Sequence, residues 1–260
     1  MRATPWWNPA KPPPLSPQLG TIPVLGIPSH LPSHSPIVFS AATANIPALG
    51  QVRIVEEFPS GVLVLEPRVY HDDRGYFFES FNQAEFNQFV PKVRFVQDNQ
   101  SRSRRNVLRG LHYQIRQPQG KLIRVLSGEV FDVGVDLRRN SPWFGMWNGV
   151  RLSSDMHRML WIPPGFAHGF LVLSDFAEIH YKATDYYAAQ HERTVLWNDP
   201  ELGIDWPAVG EPVLSAKDER GERFCDAEVY HWLTPPLTTI AEVLPRPQFK
   251  TALPPTLASE

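Results

Sequence analysis

Short runs of β-branched, aliphatic and aromatic residues recur through the middle of the chain, separated by Gly, Pro, Asn and Asp. Residues 62–65, 93–96, 122–126, 130–137, 159–162 and 170–173 are the clearest. Each is too short for an ordinary globular helix and suits a strand. In 130–137, Val130, Asp132, Gly134 and Asp136 alternate with Phe131, Val133, Val135 and Leu137. That period of two sends successive side chains to opposite faces of a sheet. Residues 83–89 are the clearest helical candidate, and they are few. Many short strands cut by turn residues predict an all-β sandwich or barrel with few helices. No internal repeat of fixed period is present.

The pattern changes at both ends. Prolines crowd residues 1–50, and proline fixes φ and removes a backbone donor, so neither a helix nor a central strand is expected there. A disordered or polyproline-like extension is the expectation for 1–50. Pro235, Pro236, Pro245, Pro247, Pro254 and Pro255 repeat the pattern in a tail, 233–260. The folded domain is expected over 51–232.

Composition adds exclusions. A formal charge of −2 offers no broad field for nucleic acid or an anionic membrane, so any basic site is local. Cys225 is the single cysteine, which rules out an intrachain disulfide and suits a reducing compartment. No apolar run reaches the ~20 residues of a membrane-spanning helix. The N-terminus lacks the layout of a secretory signal, and a cytoplasmic protein is expected.

Four clusters can carry chemistry. The first runs from Leu108 to Gln114 with His112, followed by Lys121. On a regular strand Leu108, Gly110, His112 and Gln114 share one face, unless a bulge near Gly110 rotates it. From spacing alone, a half-exposed histidine and a surface lysine are the commoner arrangement. The second cluster is Pro163-x-Gly165-x-x-His168, a tight turn that presents a histidine at the start of a strand. It resembles the second motif of cupins. Where metal cupins carry further ligands, this chain has His112-Tyr113-Gln114 and Lys121, and one histidine with a cation does not make a divalent site. The third cluster is His180 to Tyr187, where alternating aromatics are more often packing. The fourth is Asp72 to Glu79, in which Arg74 has the fork geometry that suits phosphate.

Taken in order, these segments resemble the dTDP-4-dehydrorhamnose 3,5-epimerase family. The likeness is carried by Asp73-Arg74-Gly75-Tyr76-Phe77-Phe78-Glu79, Gln97-Asp98-Asn99-Gln100-Ser101, Leu108 to Gln114 and Gln119-Gly120-Lys121. It continues through Gly128 to Val133, Ser141-Pro142, Trp161 to Phe170, Tyr181 to Tyr187, Trp197 to Pro200, Gly203 to Pro207 and Leu214 to Asp218. Two departures stand out. The stretch between His112 and Lys121 is a residue shorter than the family pattern, and Asn106 stands where glycine is frequent.

The resemblance implies a cupin-like jelly-roll barrel, a homodimer and a nucleotide-diphosphate-sugar substrate held inside the barrel. It implies no metal and no cofactor. By the same resemblance His112 is the base, Asp218 its carboxylate partner, Tyr181 the acid on the opposite face and Lys121 the neighbour of the sugar's keto oxygen. Arg74 and Arg109 match diphosphate contacts. Phe77, Glu79, Gln97, Asn99 and Tyr187 match the nucleotide and sugar pocket, and His168 a second pocket histidine. The chemistry asks for such groups. Protons α to a ketone are acidic, a near-neutral base takes them, and a buried cation stabilises the enolate. No Gly-x-Gly-x-x-Gly follows a strand, so no nicotinamide site is expected. Three other readings remain: an epimerase of one carbon only, an inactive cupin used for sugar binding or protein interaction, and a metal-dependent cupin oxygenase or isomerase.

Overall fold

The computed structural model describes residues 51–208 and 210–231. The segments read as proline-rich extensions, 1–50 and 233–260, lie outside the described residues, as does Trp232.

In chain order the elements are β1 (Val52–Glu57), β2 (Leu63–Pro67), β3 (Tyr70–Asp72), β4 (Gly75–Phe77) and α1 (Gln83–Phe89). Then come β5 (Gln97–Arg104), β6 (Leu108–Gln114), β7 (Lys121–Ser127), β8 (Glu129–Asp136) and β9 (Trp147–Ser153). β10 (Met159–Ile162), β11 (Phe166–Val172), β12 (Phe176–Ala183), a 3₁₀ turn (Ala189–His191) and β13 (Glu192–Thr194) complete them. Six strands form one sheet in the order β1-β2-β10-β7-β12-β5, and five form another in the order β13-β6-β11-β8-β9. Adjacent strands in both sheets pair antiparallel. Among the described residues the result is an all-β jelly roll with one short α-helix.

Period-two alternation decides what fills the space between the sheets. Val64, Ile123, Val125, Leu160, Ile162 and Ile179 of the larger sheet meet Val130, Leu152, Phe166, Phe170 and Val172 of the smaller one in a single cluster. The opposite faces are covered too. Leu63, Leu65, Leu122, Met159 and Trp161 pack under Phe86 of α1. Leu111, Tyr113, Val133, Val135 and Ala167 pack under Leu202, Phe224 and Tyr230 of the irregular C-terminal segment. With both faces covered, the strands read as continuous apolar runs rather than clean alternation.

Helix α1 occupies the residues expected for it; its N-cap Asn82 accepts from the N–H groups of Ala84 and Glu85. Residues 93–96 differ from expectation and are not a strand. Phe95 instead packs against Phe86 and Trp161, with ring centroids 5.1 and 6.0 Å apart, and Gln83 Nε2 holds the Val93 carbonyl at 2.8 Å. The run is apolar because it caps the outer face of the larger sheet. Asn106 has φ of +65°, a left-handed turn conformation that glycine and asparagine tolerate best. Its departure from the family pattern is therefore conformationally conservative.

Candidate active site

Strand β6 does contain the bulge that a regular alternation would exclude. Opposite it on β11, His168 pairs with His112 and Phe170 with Arg109, so three steps on β6 match two on β11. The extra residue lies at Gly110, whose φ is +129°. A Cβ there would stand 2.5 Å from Gly169 Cα and 2.8 Å from the His168 carbonyl. Only glycine fits this crossing. After the bulge Leu111 and Tyr113 face the outer cluster, which leaves His112 between them turned to the interior.

His112 Nε2 lies 2.5 Å from Asp218 Oδ1. Asp218 is 2% exposed and also accepts from Ser215 Oγ at 2.8 Å. Burial alone would raise the Asp218 carboxyl, but its bonds to His112 and Ser215 and the nearby Lys217 ammonium outweigh that and hold it low. Burial lowers the His112 imidazole, and the Lys217 and Lys121 ammonium groups add to that, while Asp218 opposes it. An ionised Asp218 draws the Nε2 proton, which leaves Nδ1 as the basic nitrogen.

Lys121 and Tyr181 project from the other sheet. Lys121 starts β7 and is in phase with Ile123 and Val125 of the inner cluster. Tyr181 on β12 packs against the same cluster. Lys121 Nζ is 5.8 Å from the Tyr181 ring centroid and 3.5 Å from His168 Nδ1. Burial pushes the Lys121 ammonium down to about 8, against the pull of Asp132 and Glu192. Burial and the Glu192 charge raise the Tyr181 phenol. An imidazole on β6, paired with a carboxylate from the irregular segment after β13, thus faces an ammonium and a phenol on the other sheet.

Sequence reasoning missed several neighbours. Asp132, fully buried, binds His168 Nε2 at 2.9 Å, and its Oδ2 has no hydrogen-bond partner among the described residues. Its signal was a carboxylate in phase with inward-facing Val130. Glu192 Oε1 accepts from Lys217 Nζ at 2.8 Å and Glu192 Oε2 from Tyr187 Oη at 3.1 Å. The Lys217 bond holds the Glu192 carboxyl low despite its burial.

The remaining expected residues fall into two groups. Gln97 Nε2 donates to Asn99 Oδ1 at 3.0 Å, Gln97 Oε1 accepts from the Tyr187 N–H at 2.9 Å, and Arg109 Nε donates to Ser103 Oγ at 3.0 Å. Gln97, Asn99 and Ser103 line up along β5, in register with β12, and hold Tyr187 and Arg109 against it. Arg74, Phe77 and Glu79 are not gathered with them. Arg74 pairs with Asp72 at 2.5 Å, Phe77 is 70% exposed on the β3–β4 hairpin, and Glu79 accepts from Asn82 Nδ2 at 3.1 Å. Among the described residues, no group of three or more His, Cys, Asp or Glu side chains is arranged to hold a metal ion. No helix among them is long and apolar enough to cross a membrane.

Comparison with known proteins identifies the family. The family profile described as dTDP-4-dehydrorhamnose 3,5-epimerase matches residues 59–226. The Pseudomonas aeruginosa dTDP-4-dehydrorhamnose 3,5-epimerase is 61% identical over 170 residues, covering 65% of this chain and 94% of that protein. The crystal structure of the Legionella pneumophila dTDP-6-deoxy-D-glucose-3,5-epimerase with dTDP-4-keto-L-rhamnose matches at a TM-score of 0.68 and 45% identity. That match covers 70% of this chain and all of the Legionella chain. A 3'-monoepimerase from Streptomyces bikiniensis, solved with dTDP-quinovose, matches at a TM-score of 0.61 and 33% identity, covering 64% of this chain and 86% of its own. With the dyad, the facing lysine and the phenol all carried on segments within the matched region, this chain belongs to the dTDP-4-dehydrorhamnose 3,5-epimerase family.

Proposed function

We propose that the chain converts dTDP-4-dehydro-6-deoxy-D-glucose to dTDP-4-dehydro-L-rhamnose by inverting C3 and C5. The observation that carries this reading is the pairing of His112 on β6 with Asp218 of the irregular C-terminal segment, opposite Lys121 and Tyr181 on the other sheet. His112 removes a proton α to the C4 ketone, and Asp218 stabilises the imidazolium that forms. The electron pair moves onto the C4 oxygen, where the Lys121 ammonium stabilises the enolate. Tyr181 returns a proton to carbon from the opposite face, and the configuration inverts. The substrate's own ketone supplies the electron sink. His168, held by Asp132, orients Lys121.

Arg109 is assigned to the diphosphate, and Gln97, Asn99 and Tyr187 to the nucleotide and sugar. Arg74, Phe77 and Glu79 are assigned to substrate binding in a homodimer, because the exposed hairpin that carries Arg74 and Phe77 suits contact with a second copy of the chain. Sedimentation of a monomer would overturn that arrangement. Residues 51–232 form the catalytic unit. The cytoplasm is the proposed location, and recovery of the protein with membranes after cell fractionation would count against it.

The test is incubation of dTDP-4-dehydro-6-deoxy-D-glucose with the protein in deuterated water, followed by NMR. Deuterium at both C3 and C5 with inversion at each is expected. The likeness to the monoepimerase favours a second reading, in which one carbon alone inverts. Deuterium and inversion at a single carbon would establish it, and no exchange at all would leave a sugar-binding role.

A further inference from the structure

Tyr187 combines an exposed ring with a tightly held main chain. Its side chain is 55% exposed. Its N–H donates to Gln97 Oε1, and its Oη donates to Glu192 Oε2. The residues on either side of it are both tied to one buried side chain. Gln114 Nε2 donates to the Tyr186 carbonyl at 3.2 Å, and Gln114 Oε1 accepts from the Ala188 N–H at 2.8 Å.

Gln114 is 4% exposed, too buried for bulk water to replace it. The second hydrogen of its amide goes to the Gln117 carbonyl at 2.8 Å. That carbonyl belongs to the loop between β6 and β7, and Gln117 takes a left-handed φ of +53°. The same loop is laced to the segment before Tyr187. Gly120 N–H donates to Thr184 Oγ1 at 2.7 Å, and Gln119 Nε2 donates to the Asp185 carbonyl at 2.8 Å. One amide therefore satisfies three main-chain groups from two loops. Only glutamine fits the pattern: a glutamate has no donors when ionised, and an apolar side chain leaves all three groups unpaired.

We propose that Gln114 is a positioning residue that fixes Tyr187 as a preformed platform for the base of the nucleotide. It acts on affinity for the nucleoside end and not on proton transfer. The inference rests on the reading of Tyr187 as part of the nucleotide subsite. An exposed aromatic on a slack loop loses freedom when a base stacks on it, and a ring already fixed avoids that loss. His112 stands two residues earlier on the same strand, but it has its own anchors in Asp218 and in its ladder partners His168 and Thr194. Loss of the amide therefore reaches Tyr187 before it reaches the base.

The test compares the full-length protein with Gln114→Met and Gln114→Glu. Calorimetry with thymidine 5′-diphosphate and with inorganic pyrophosphate separates the two ends of the nucleotide, and turnover gives KM and kcat. In both variants the Kd for thymidine diphosphate and KM are expected to rise about ten-fold. The pyrophosphate Kd and kcat should stay within about two-fold of wild type. In a Tyr187→Ala background, Gln114→Met should weaken thymidine diphosphate no further, because both changes remove one platform. Gln114→Glu keeps the size and the acceptor, so it carries the test if the Met variant does not fold.

A fall in kcat at unchanged KM would overturn the proposal, as would an equal loss for pyrophosphate or additive losses in the double variant. Wild-type affinity in a folded Gln114 variant of an active enzyme would sink this inference alone. A wild-type protein that neither binds thymidine diphosphate nor exchanges the sugar's protons would remove the proposed function, and this inference with it.

Discussion

His112 Nε2 and Asp218 Oδ1 lie 2.5 Å apart although 106 residues separate them in the chain. The carboxylate reaches the histidine from the irregular segment behind β13, where Ser215 holds its second oxygen. Asp218→Asn keeps the shape but no longer favours the Nε2–H tautomer or the imidazolium. It should lower kcat by about two to four orders of magnitude with little change in the melting curve. His112→Ala should abolish exchange at both carbons while the protein stays folded. Near-wild-type turnover in either variant would remove the dyad from the mechanism.

The pH dependence follows from the environments of the base and the cation. As the proposed base His112 acts unprotonated, and burial lowers its imidazole, so kcat/KM should hold at pH 6.5 and fall only in more acid solution. In the proposed mechanism Lys121 acts protonated, and its ammonium is pushed down to about 8, so the alkaline limb should begin near there. The expected profile is a bell with its plateau between these limits. Replacing Lys121 by arginine, which stays charged, should remove the alkaline limb even if the plateau drops. An unchanged alkaline limb in that variant would assign it to another group.

Much of the scaffold was legible in the sequence. Met159–Ile162 and Gln83–Phe89 adopt the strand and helix that their patterns indicate. Residues 93–96 misled because an apolar run covering the outside of a sheet looks the same as one inside it. The site was less legible. Spacing relates His112 to Lys121 but not to Asp218, whose approach depends on the whole C-terminal segment. Only the family resemblance brought those three together. Asp132 escaped notice because a carboxylate in an alternating strand normally faces water, and here the C-terminal segment covers the other face.

The bulge in β6 makes a stability prediction. Gly110→Ala would drive its Cβ into backbone atoms of β11, which cannot swing aside as a side chain can. The variant should lose more than about 2 kcal/mol of stability in chemical denaturation. Its residual activity should fall as well, because the bulge sets which way His112 points. A variant with wild-type stability and rate would show that β6 accommodates the methyl group without moving the base.

Removal of residues 1–50 should leave the enzyme intact. The family match begins at residue 59, and the first described strand begins at Val52. A protein starting at Gln51 keeps the bonds from the Gln51 N–H to Glu85 and from the Arg68 N–H to the Gln51 carbonyl. Its kcat and melting temperature should match those of the full chain. A lowered melting temperature would mean that the proline-rich segment packs on the domain.

Lys121 should set function against stability. Its ammonium pKa falls from 10.5 to about 8, so the folded state holds the charged form less well than the unfolded chain does. The sign is opposite to that of a lysine gaining a partner: the penalty is fully present below pH 8 and disappears as pH rises through 10.5. Lys121→Met removes the buried charge and keeps most of the volume. At pH 7 it should therefore melt higher than wild type, by roughly 2–6 °C. The same variant loses the proposed donor to the enolate oxygen, and kcat should drop by about two to three orders of magnitude. Calorimetry at pH 7 and pH 10 separates the two effects, because the stability gain should shrink at the higher pH. If Lys121→Met melts lower at pH 7, the ammonium's bond to His168 and its attraction to Asp132 outweigh its burial, and the lysine stabilises the barrel rather than straining it.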